Sequence, residues 1–177
     1  TMSGIIGDGM PEVGLAKLMS GIKLLSLDVD GVLTDGGLYY AEDGGIQRKF
    51  SVRDGVGIVR AREAGIVITI ISAGISGSIP ARAASLGIKH VFTGVEDKLK
   101  VFKSHCTELG IEMPATAHIG DDINDVALMG VVGMAIAVAD ASLEAREAAD
   151  YVTAHAGGNG AVREVCDALI QSRKHPQ

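Results

Sequence analysis

Aromatic side chains are scarce in this sequence of 177 residues, which contains three Tyr, three Phe and no Trp. The core must therefore be built from aliphatic side chains, and the 47% share of hydrophobic residues supplies them. Parallel sheets that are covered by helices on both faces use this kind of Val, Ile, Leu and Ala core. The length fits one domain with a three-layer core and is too short for two full enzyme domains.

Runs of basic residues, clusters of cysteine and long apolar segments are also lacking. Without a Lys or Arg run, and with a net charge of -6, the chain is not expected to bind nucleic acid or an anionic membrane. Cys106 and Cys166 have no metal-type spacing, so we expect reduced thiols of a cytoplasmic protein and no zinc site. No apolar stretch is long enough to span a bilayer. Residues 1–21 lack the pattern of a secretion signal and predict a loose or short helical lead.

Short apolar runs and amphipathic segments alternate along the rest of the chain. The predicted strands cover residues 24–27, 67–71, 90–93, 117–119, 134–138 and 151–152, and the predicted helices cover 53–64, 75–86, 96–109, 122–129, 143–149 and 160–172. This alternation predicts an α/β fold with a doubly wound, Rossmann-like parallel sheet and helices on both faces. We expect one domain over 22–172 and a tail over 173–177.

A β-hairpin flap is predicted after the first strand. Residues 38–41 and 47–51 are β-prone, and the turn residues of 42–45 separate them. A hairpin in this position would overhang the end of the first strand.

The first strand runs directly into two acids, Asp28 and Asp30. Because side chains alternate along an extended chain, we expect both carboxylates to leave the same side of the backbone, close enough to share one divalent cation. Gly31 allows close backbone approach, and Thr34 supplies a hydroxyl where an oxyanion could sit. The alternative is that one acid caps a turn while the other is solvated.

Polar residues also follow the other predicted strands. Ser72 ends the second strand, Lys98 follows the third, and the acids of 121–125 follow the fourth. Ligands of doubly wound sheets bind at the carboxyl ends of the strands, so these side chains are expected to meet. Several carboxylates suit Mg²⁺, while a hydroxyl and an ammonium suit phosphoryl oxygens. Taken singly, each of these residues could instead be a helix cap, a solvated lysine or a turn.

Five stretches of the chain resemble one known family. They are LDVDGVLTDG at 27–36, FSVRDGVGI at 50–58, DK at 97–98, IGDDIND at 119–125 and GGNGAVREV at 157–165. Together they resemble the capless 3-deoxy-D-manno-octulosonate 8-phosphate phosphatases of the haloacid dehalogenase superfamily. The resemblance extends over nearly the whole chain after residue 22.

The resemblance implies roles for two aspartates and a cofactor. Asp28 matches the nucleophile that accepts the phosphoryl group, and Asp30 matches the acid/base that serves the leaving group and then water. Mg²⁺ would be held by Asp28, by the backbone carbonyl of Asp30 and by Asp121.

It also implies roles for the residues around them. Ser72 and Lys98 would contact the phosphate, and Lys98 would also steady the nucleophile. Asp122, Asn124 and Asp125 would hold metal-bound waters and Lys98 in place. The candidate substrate-binding residues are Thr34, Arg53, Asp54, Gly55 and Arg163.

The chain departs from the family pattern after the second strand. Family members commonly read TGR there, with an arginine that meets the substrate, whereas this chain reads Ser72-Ala73-Gly74. The substrate is left one cation short. Arg53 and Arg163 are the candidates to supply it, and Arg82 could do so only if its helix presents it toward the site. This departure concerns the identity of the sugar acid and does not affect the residues that would carry out phosphoryl transfer.

The resemblance implies a Mg²⁺-dependent phosphomonoesterase that acts on a sugar-acid phosphate in lipopolysaccharide biosynthesis, with 3-deoxy-D-manno-octulosonate 8-phosphate as the leading substrate. It also implies a cytoplasmic homotetramer in which neighbouring hairpins close the sites. The alternatives are a 9-phosphate phosphatase for a sialic-acid-like nonulosonate and a non-catalytic, phosphatase-like assembly module. A phosphoryl-transferring mutase is disfavoured, because no insert is large enough for a lid.

Overall fold

The structure is a computed structural model that describes residues 5–6 and 19–174. Most of the predicted lead at 1–21 and residues 175–177 of the predicted tail lie outside the described residues.

The described elements alternate between strands and helices along most of the chain. The strands are β1 (Ile5–Ile6), β2 (Leu24–Leu27), β3 (Tyr39–Tyr40), β4 (Ile46–Gln47), β5 (Val67–Ile71), β6 (His90–Phe92), β7 (Thr116–Gly120), β8 (Met134–Ala137) and β9 (Tyr151–Val152). The α-helices are α1 (Val52–Glu63), α2 (Ser78–Ser85), α3 (Lys98–Leu109), α4 (Ile123–Met129), α5 (Leu143–Glu147) and α6 (Ala161–Lys174), and a short 3-10 helix covers Met113–Ala115.

The main sheet has the order β1-β9-β8-β7-β2-β5-β6. Strand β2 lies between β5 and β7 and pairs with both in parallel. Every other pairing in this sheet is parallel except the edge pair of β1 with β9, which is antiparallel. The predicted doubly wound parallel sheet is confirmed. The edge strand β1 was not predicted.

Helices cover both faces of the sheet, as predicted. One core cluster joins Leu25 and Leu27 of β2 to residues of α1, α2 and α6. A second cluster joins Leu24 of the same strand to Phe102 and Leu128 of α3 and α4. Successive side chains of a strand point to opposite faces, so one central strand serves both cores. Aliphatic side chains supply most of this packing.

Among the described residues, none of the helices has both the length and the apolar character that a membrane span requires.

The hairpin is present but short. Strands β3 and β4 pair antiparallel, with Tyr39 opposite Gln47 and Tyr40 opposite Ile46. The amide of Ala41 donates to the carbonyl of Gly45 at 2.8 Å and closes the turn. Both tyrosines are largely exposed, and the hairpin forms a sheet of its own.

Helix ends differ from the prediction where tertiary contacts decide them. Helix α2 begins at Ser78 instead of residue 75, and α6 continues to Lys174 instead of ending at residue 172. The extension of α6 is held by Arg173, which donates to the carbonyls of Ala64 and Ile22. Such long-range contacts are not visible in a local pattern.

Candidate active site

A pocket of about 270 Å³ opens at the carboxyl ends of β2, β5 and β7. Its lining consists of Asp28, Asp30, Gly36, Ser72, Ala73, Gly74, Asp121, Asp122 and Asn124. The predicted meeting of polar residues at this edge of the sheet is therefore found in the structure.

The loop after β2 turns tightly and builds one wall of the pocket. The amides of Val32, Leu33 and Thr34 all donate to the carbonyl of Val29, at 3.2, 2.9 and 3.1 Å. The hydroxyl of Thr34 accepts the amide of Gly36 at 3.1 Å and is fully buried. Thr34 therefore braces the loop and does not line the pocket.

Asp28 is buried and faces a lysine. Its carboxylate lies 2.9 Å from Nζ of Lys98, and Asp28 is 5% exposed. Burial and the charge of Asp125 raise the pKa of Asp28, against the opposing effect of Lys98. Lys98 is itself buried, but the two carboxylates outweigh the effect of burial and raise its pKa. Lys98 therefore stays charged. The structure brings Lys98 and Asp28 together, while their catalytic roles stay predictions.

Asp125 holds the base of the site together. One oxygen accepts from Nζ of Lys98 at 2.6 Å and lies 2.9 Å from Nε2 of His118. The other accepts the amide of Asp121 at 3.1 Å. Burial alone would raise the pKa of Asp125, but His118 and Lys98 outweigh it and hold that pKa below its usual range.

Three carboxylates converge closely enough to hold a metal ion. Asp28, Asp121 and Asp125 can each offer an oxygen, and these atoms lie within 4.8 Å of one another. Asp125 accepts from Lys98 and from backbone amides and does not line the pocket, whereas Asp28 and Asp121 do line it and could face a cation there. Burial, followed by the charges of Asp28 and Asp125, raises the pKa of Asp121 to about 8. A hard divalent cation would relieve this repulsion, and the oxygen donors fit Mg²⁺.

Asp30 does not join this carboxylate cluster. Both of its oxygens accept from Arg48, at 2.7 and 3.0 Å. The expectation that the side chains of Asp28 and Asp30 share a cation is therefore wrong for this geometry. The reason is that β2 ends at Leu27 and the next residues turn, so the alternation of an extended strand does not apply.

Ser72 is buried at the end of β5 and lines the pocket. Its Oγ accepts the amide of Gly74 at 3.0 Å. The N-cap of α2 is Gly77, so Ser72 is not a helix cap. Asp122, in contrast, both lines the pocket and caps α4, where its side chain accepts the amide of Ile123. The capping interpretation is therefore confirmed for Asp122, and its predicted role beside a metal-bound water stays a prediction.

Two of the predicted substrate-binding residues serve the packing of α1 against α6. The buried carboxylate of Asp54 accepts the amides of Gly160 and Arg163, at 3.4 and 2.9 Å. The guanidinium of Arg163 donates to Asp167 on its own helix at 2.6 Å. Neither side chain lines the pocket.

Arg53 and Gly55 also lie away from the pocket lining. Arg53 is exposed on α1. Gly55 leaves room for Arg82, since a Cβ at that position would lie 2.5 Å from Nη2 of the arginine. Arg82 donates to the carbonyl of Ser51 at 2.9 Å. In the described chain, neither Arg82 nor Arg163 lines the pocket.

The glycines of the last motif support the loop after β2. The amide of Gly158 donates to the carbonyl of Val32 at 2.9 Å. A Cβ on Gly157 would overlap the carbonyl of Gly31, and one on Gly158 would overlap the backbone of Thr34. This stretch therefore packs behind the pocket loop instead of lining it.

Two residues of the site were missed by the sequence analysis. His118 lies on β7, fully buried between Asp125 and Ser26. A polar residue in the middle of an apolar strand was the available signal. Arg48 follows the hairpin, and no local pattern links it to Asp30, because that contact depends on how the hairpin folds back.

Comparison with known proteins agrees with this geometry. A family model described as haloacid dehalogenase-like hydrolase matches residues 85–165. The 3-deoxy-D-manno-octulosonate 8-phosphate phosphatase of Escherichia coli (strain K12) is 45% identical over 149 residues, which are 84% of this chain and 79% of that protein. The phosphatase of the same name from Yersinia pestis is 41% identical, over 84% of this chain and 80% of that protein.

Solved structures give the same result. The phosphatase of that name from Moraxella catarrhalis, in complex with a magnesium ion, a phosphate ion and KDO, has a TM-score of 0.90 at 36% identity, covering 93% of this chain and 94% of that chain. The cobalt-bound enzyme from Haemophilus influenzae has a TM-score of 0.86 at 38% identity, covering 89% and 92%.

The fold, the acidic pocket and these matches define a phosphatase of the haloacid dehalogenase class. Within that class, the chain belongs to the 3-deoxy-D-manno-octulosonate 8-phosphate phosphatase family.

Proposed function

We propose that this chain hydrolyses 3-deoxy-D-manno-octulosonate 8-phosphate with Mg²⁺, through a phosphoryl group carried on Asp28. The observation that carries the proposal is the buried carboxylate of Asp28, which lies beside both Lys98 and Asp121 at the floor of the pocket. An aspartate in this setting is oriented, poorly solvated and next to a cation site, as a nucleophile for an anionic phosphate must be.

The reaction has two halves. In the first, a carboxylate oxygen of Asp28 attacks the phosphorus, the bond from phosphorus to the sugar oxygen breaks, and Asp30 gives a proton to the departing alkoxide. In the second, Asp30 takes a proton from water, which attacks the same phosphorus and releases phosphate. Asp28 is returned as a carboxylate, and Asp30 is returned as an acid.

The surrounding residues orient this chemistry. Lys98 forms salt bridges with both Asp28 and Asp125. Its ammonium group can therefore balance the negative charge of Asp28 and of the bound phosphate. Ser72 presents a hydroxyl at the pocket wall. Mg²⁺, held by Asp28 and Asp121 and by the carbonyl of Asp30, would reduce the repulsion between carboxylate and phosphate.

The choice of substrate rests on the relatives. Proteins at 45% and 41% identity carry the octulosonate 8-phosphate phosphatase name. A structural neighbour was solved with magnesium, phosphate and KDO. These matches favour the eight-carbon sugar acid over a nonulosonate 9-phosphate. The presence of both Asp28 and Asp30 weighs against a non-catalytic module.

Phosphate release from a panel of sugar phosphates tests the proposal. With Mg²⁺, we expect kcat/KM to be highest for the octulosonate 8-phosphate, lower for a nonulosonate 9-phosphate and much lower for glucose 6-phosphate. A chelator should abolish release, and added Mg²⁺ should restore it. Equal rates across the panel, or full activity in chelator, would contradict the proposal.

We further propose a cytoplasmic homotetramer. The exposed Tyr39 and Tyr40 of the hairpin support contacts with other copies, because exposed clusters of large apolar side chains commonly mark interfaces. The two buried cysteines are free thiols, as expected in a reducing compartment.

A further inference from the structure

A salt bridge links the end of the hairpin to the pocket. Arg48 donates from Nε to one oxygen of Asp30 at 2.7 Å and from Nη2 to the other at 3.0 Å. The arginine side chain is 2% exposed, while that of Asp30 is 32% exposed. Two parallel charge-assisted hydrogen bonds fix the plane of a carboxylate as well as its position.

The far side of the guanidinium is anchored as well. Its Nη1 donates to the hydroxyl of Ser76 and, at 3.1 Å, to the hydroxyl of Ser78. The two hydroxyls lie 2.8 Å apart and also share a hydrogen bond. Ser78 begins helix α2, so Arg48 is tied both to Asp30 and to the segment that follows β5. The guanidinium cannot turn without losing contacts on both sides.

Gly74 leaves the space that Arg48 occupies. A Cβ at position 74 would lie 2.8 Å from Nη2 of Arg48, closer than such atoms normally pack. Gly74 also lines the pocket. The local sequence Ser72-Ala73-Gly74 contains no arginine, and in the fold the guanidinium beside Gly74 comes from Arg48, the residue after the second hairpin strand.

We propose that Arg48 is a positioning residue that holds the carboxylate of Asp30 in the orientation both proton transfers require. This inference rests on the proposed function, in which Asp30 serves the leaving group and then water. A carboxylate has about four acceptor positions, and Arg48 uses two of them. The other two stay available for the sugar oxygen and for water.

The proposal predicts a dependence on the leaving group. A sugar alkoxide needs a proton to depart, whereas p-nitrophenolate does not. The kcat/KM value covers only the steps up to the first irreversible one, which here is loss of the leaving group. Misplacing Asp30 should therefore lower kcat/KM for the sugar phosphate but spare it for p-nitrophenyl phosphate. Misplacing Asp30 should lower kcat for both substrates, because the hydrolysis of phosphorylated Asp28 needs a base whichever leaving group has departed.

Arg48→Met is the main test variant, because methionine keeps much of the length without the charge or the donors. We expect kcat/KM for the sugar phosphate to fall on the order of 10²-fold, the lower range for loss of acid–base assistance. For p-nitrophenyl phosphate, we expect the same parameter to change by less than about threefold. Arg48→Lys should recover part of the loss, since lysine restores the charge but not the two-point contact.

Lys49→Met is the matched control. Lys49 is the next residue, and its ammonium pairs with Asp35 at 2.8 Å on the surface, with the lysine side chain 63% exposed. This variant should leave both substrates unaffected. Ser78→Ala removes one anchor of Arg48 without changing the charges, and it should show a weaker form of the same leaving-group dependence. If Arg48→Met does not fold, Ser78→Ala tests the positioning role in its place, and equal kinetics of Ser78→Ala and wild type would then refute that role.

The outcomes separate the two proposals. If the wild-type protein hydrolyses no sugar-acid phosphate, the proposed function is wrong. If the wild type is active but folded Arg48→Met loses kcat/KM equally for both substrates, Arg48 has a general structural role and only the positioning role is refuted. Unchanged kinetics in Arg48→Met would refute it as well.

Discussion

Asp125 shows how one side chain can organise a site without lying in its pocket. Its carboxylate accepts from Lys98, meets His118 and accepts the amide of Asp121. Each of these partners either lies in the carboxylate cluster or touches it. The position of the lysine beside Asp28 therefore depends on a residue that does not line the pocket.

Replacing Asp125 with Asn should destabilise the protein strongly. The amide keeps the shape but leaves the buried Lys98 with one fewer carboxylate, and we expect a loss of about 3 kcal/mol in the free energy of unfolding. Urea denaturation at neutral pH measures it, with Asp97→Asn as a control that retains a helix cap on α3. A loss no larger than that of the control would contradict the role given to Asp125.

The same pair of proteins should differ in pH dependence. The folded state holds the pKa of Asp125 below its usual range, so its stabilising contribution is fully present above the unfolded pKa of about 4. This contribution is lost as the pH falls below the unfolded pKa and through the lower pKa that Asp125 has in the folded state. The stability gap between wild type and Asp125→Asn should therefore narrow below about pH 4.

Mg²⁺ binding should be coupled to a proton on Asp121. In the metal-free protein, burial and the charges of Asp28 and Asp125 raise the pKa of Asp121 to about 8. The cation binds the ionised carboxylate, so below that pH it must displace a proton. Affinity should weaken as the pH falls, approaching about tenfold per pH unit.

Calorimetry in buffers of different ionisation enthalpy measures both the affinity and the proton released. Asp121→Asn should bind Mg²⁺ more weakly and release fewer protons. An affinity that stays constant between about pH 6 and 8 would contradict proton competition at Asp121.

At the scale of elements, the sequence predicted the order and type of most of the sheet and its helices. Strand β5 was predicted with its observed ends, because Val67–Ile71 consists of β-branched residues and is followed by the polar turn that begins at Ser72. The end of α3 at Gly110 was also predicted, and that glycine is left-handed, with a φ of 64°. Local signals were sufficient in both cases.

Contacts between distant segments could not be predicted in this way. The pairing of β1 with β9 joins residues at opposite ends of the chain. The bonds from Arg48 to Asp30 and Ser78 depend on the direction in which the hairpin folds back. The strand ends were expected to meet, but the exclusion of Asp30 from the carboxylate cluster depends on a turn whose shape the sequence did not specify.

The packing of the last motif against the first loop provides a prediction for whole segments. Gly157→Ala would place a methyl group on the carbonyl of Gly31 and push the loop after β2 out of position. We expect a stability loss of about 1 to 3 kcal/mol and a drop in kcat/KM of about tenfold or more.

Gly130→Ala is the control for that variant. Its Cβ would meet other atoms only at 3.7 Å, in a backbone conformation open to alanine. Its stability should stay within about 0.5 kcal/mol of wild type. If Gly157→Ala behaved like this control, the loop would not depend on close backbone packing.

For the whole molecule, the hairpin would connect the proposed assembly to the proposed chemistry. It carries the exposed Tyr39 and Tyr40, and Arg48 follows its second strand and holds Asp30. Contacts that order the hairpin in an oligomer would therefore also steady Asp30. An enclosed site also suits a reactive phosphorylated aspartate, which must be protected from stray water.

Light scattering should give the mass of four chains for the wild type. Changing Tyr39 and Tyr40 together to Asp should reduce the mass and lower kcat/KM for the sugar phosphate. Leu143→Asp on α5 is the control, since that leucine is also exposed, at 67%, but lies outside the hairpin. A monomeric wild type with full activity would contradict the link between assembly and catalysis.

The central claim is that Asp28 carries the phosphoryl group, and mass spectrometry of the acid-quenched protein tests it most directly. Asp30→Asn should be mixed with p-nitrophenyl phosphate and Mg²⁺, because that leaving group needs no acid while the second half lacks its base. The account predicts one added phosphoryl group on the peptide that contains Asp28, and none when Asp28 is also changed to Asn. Release of p-nitrophenol with no phosphorylated peptide, or with the phosphoryl group on another residue, would contradict it.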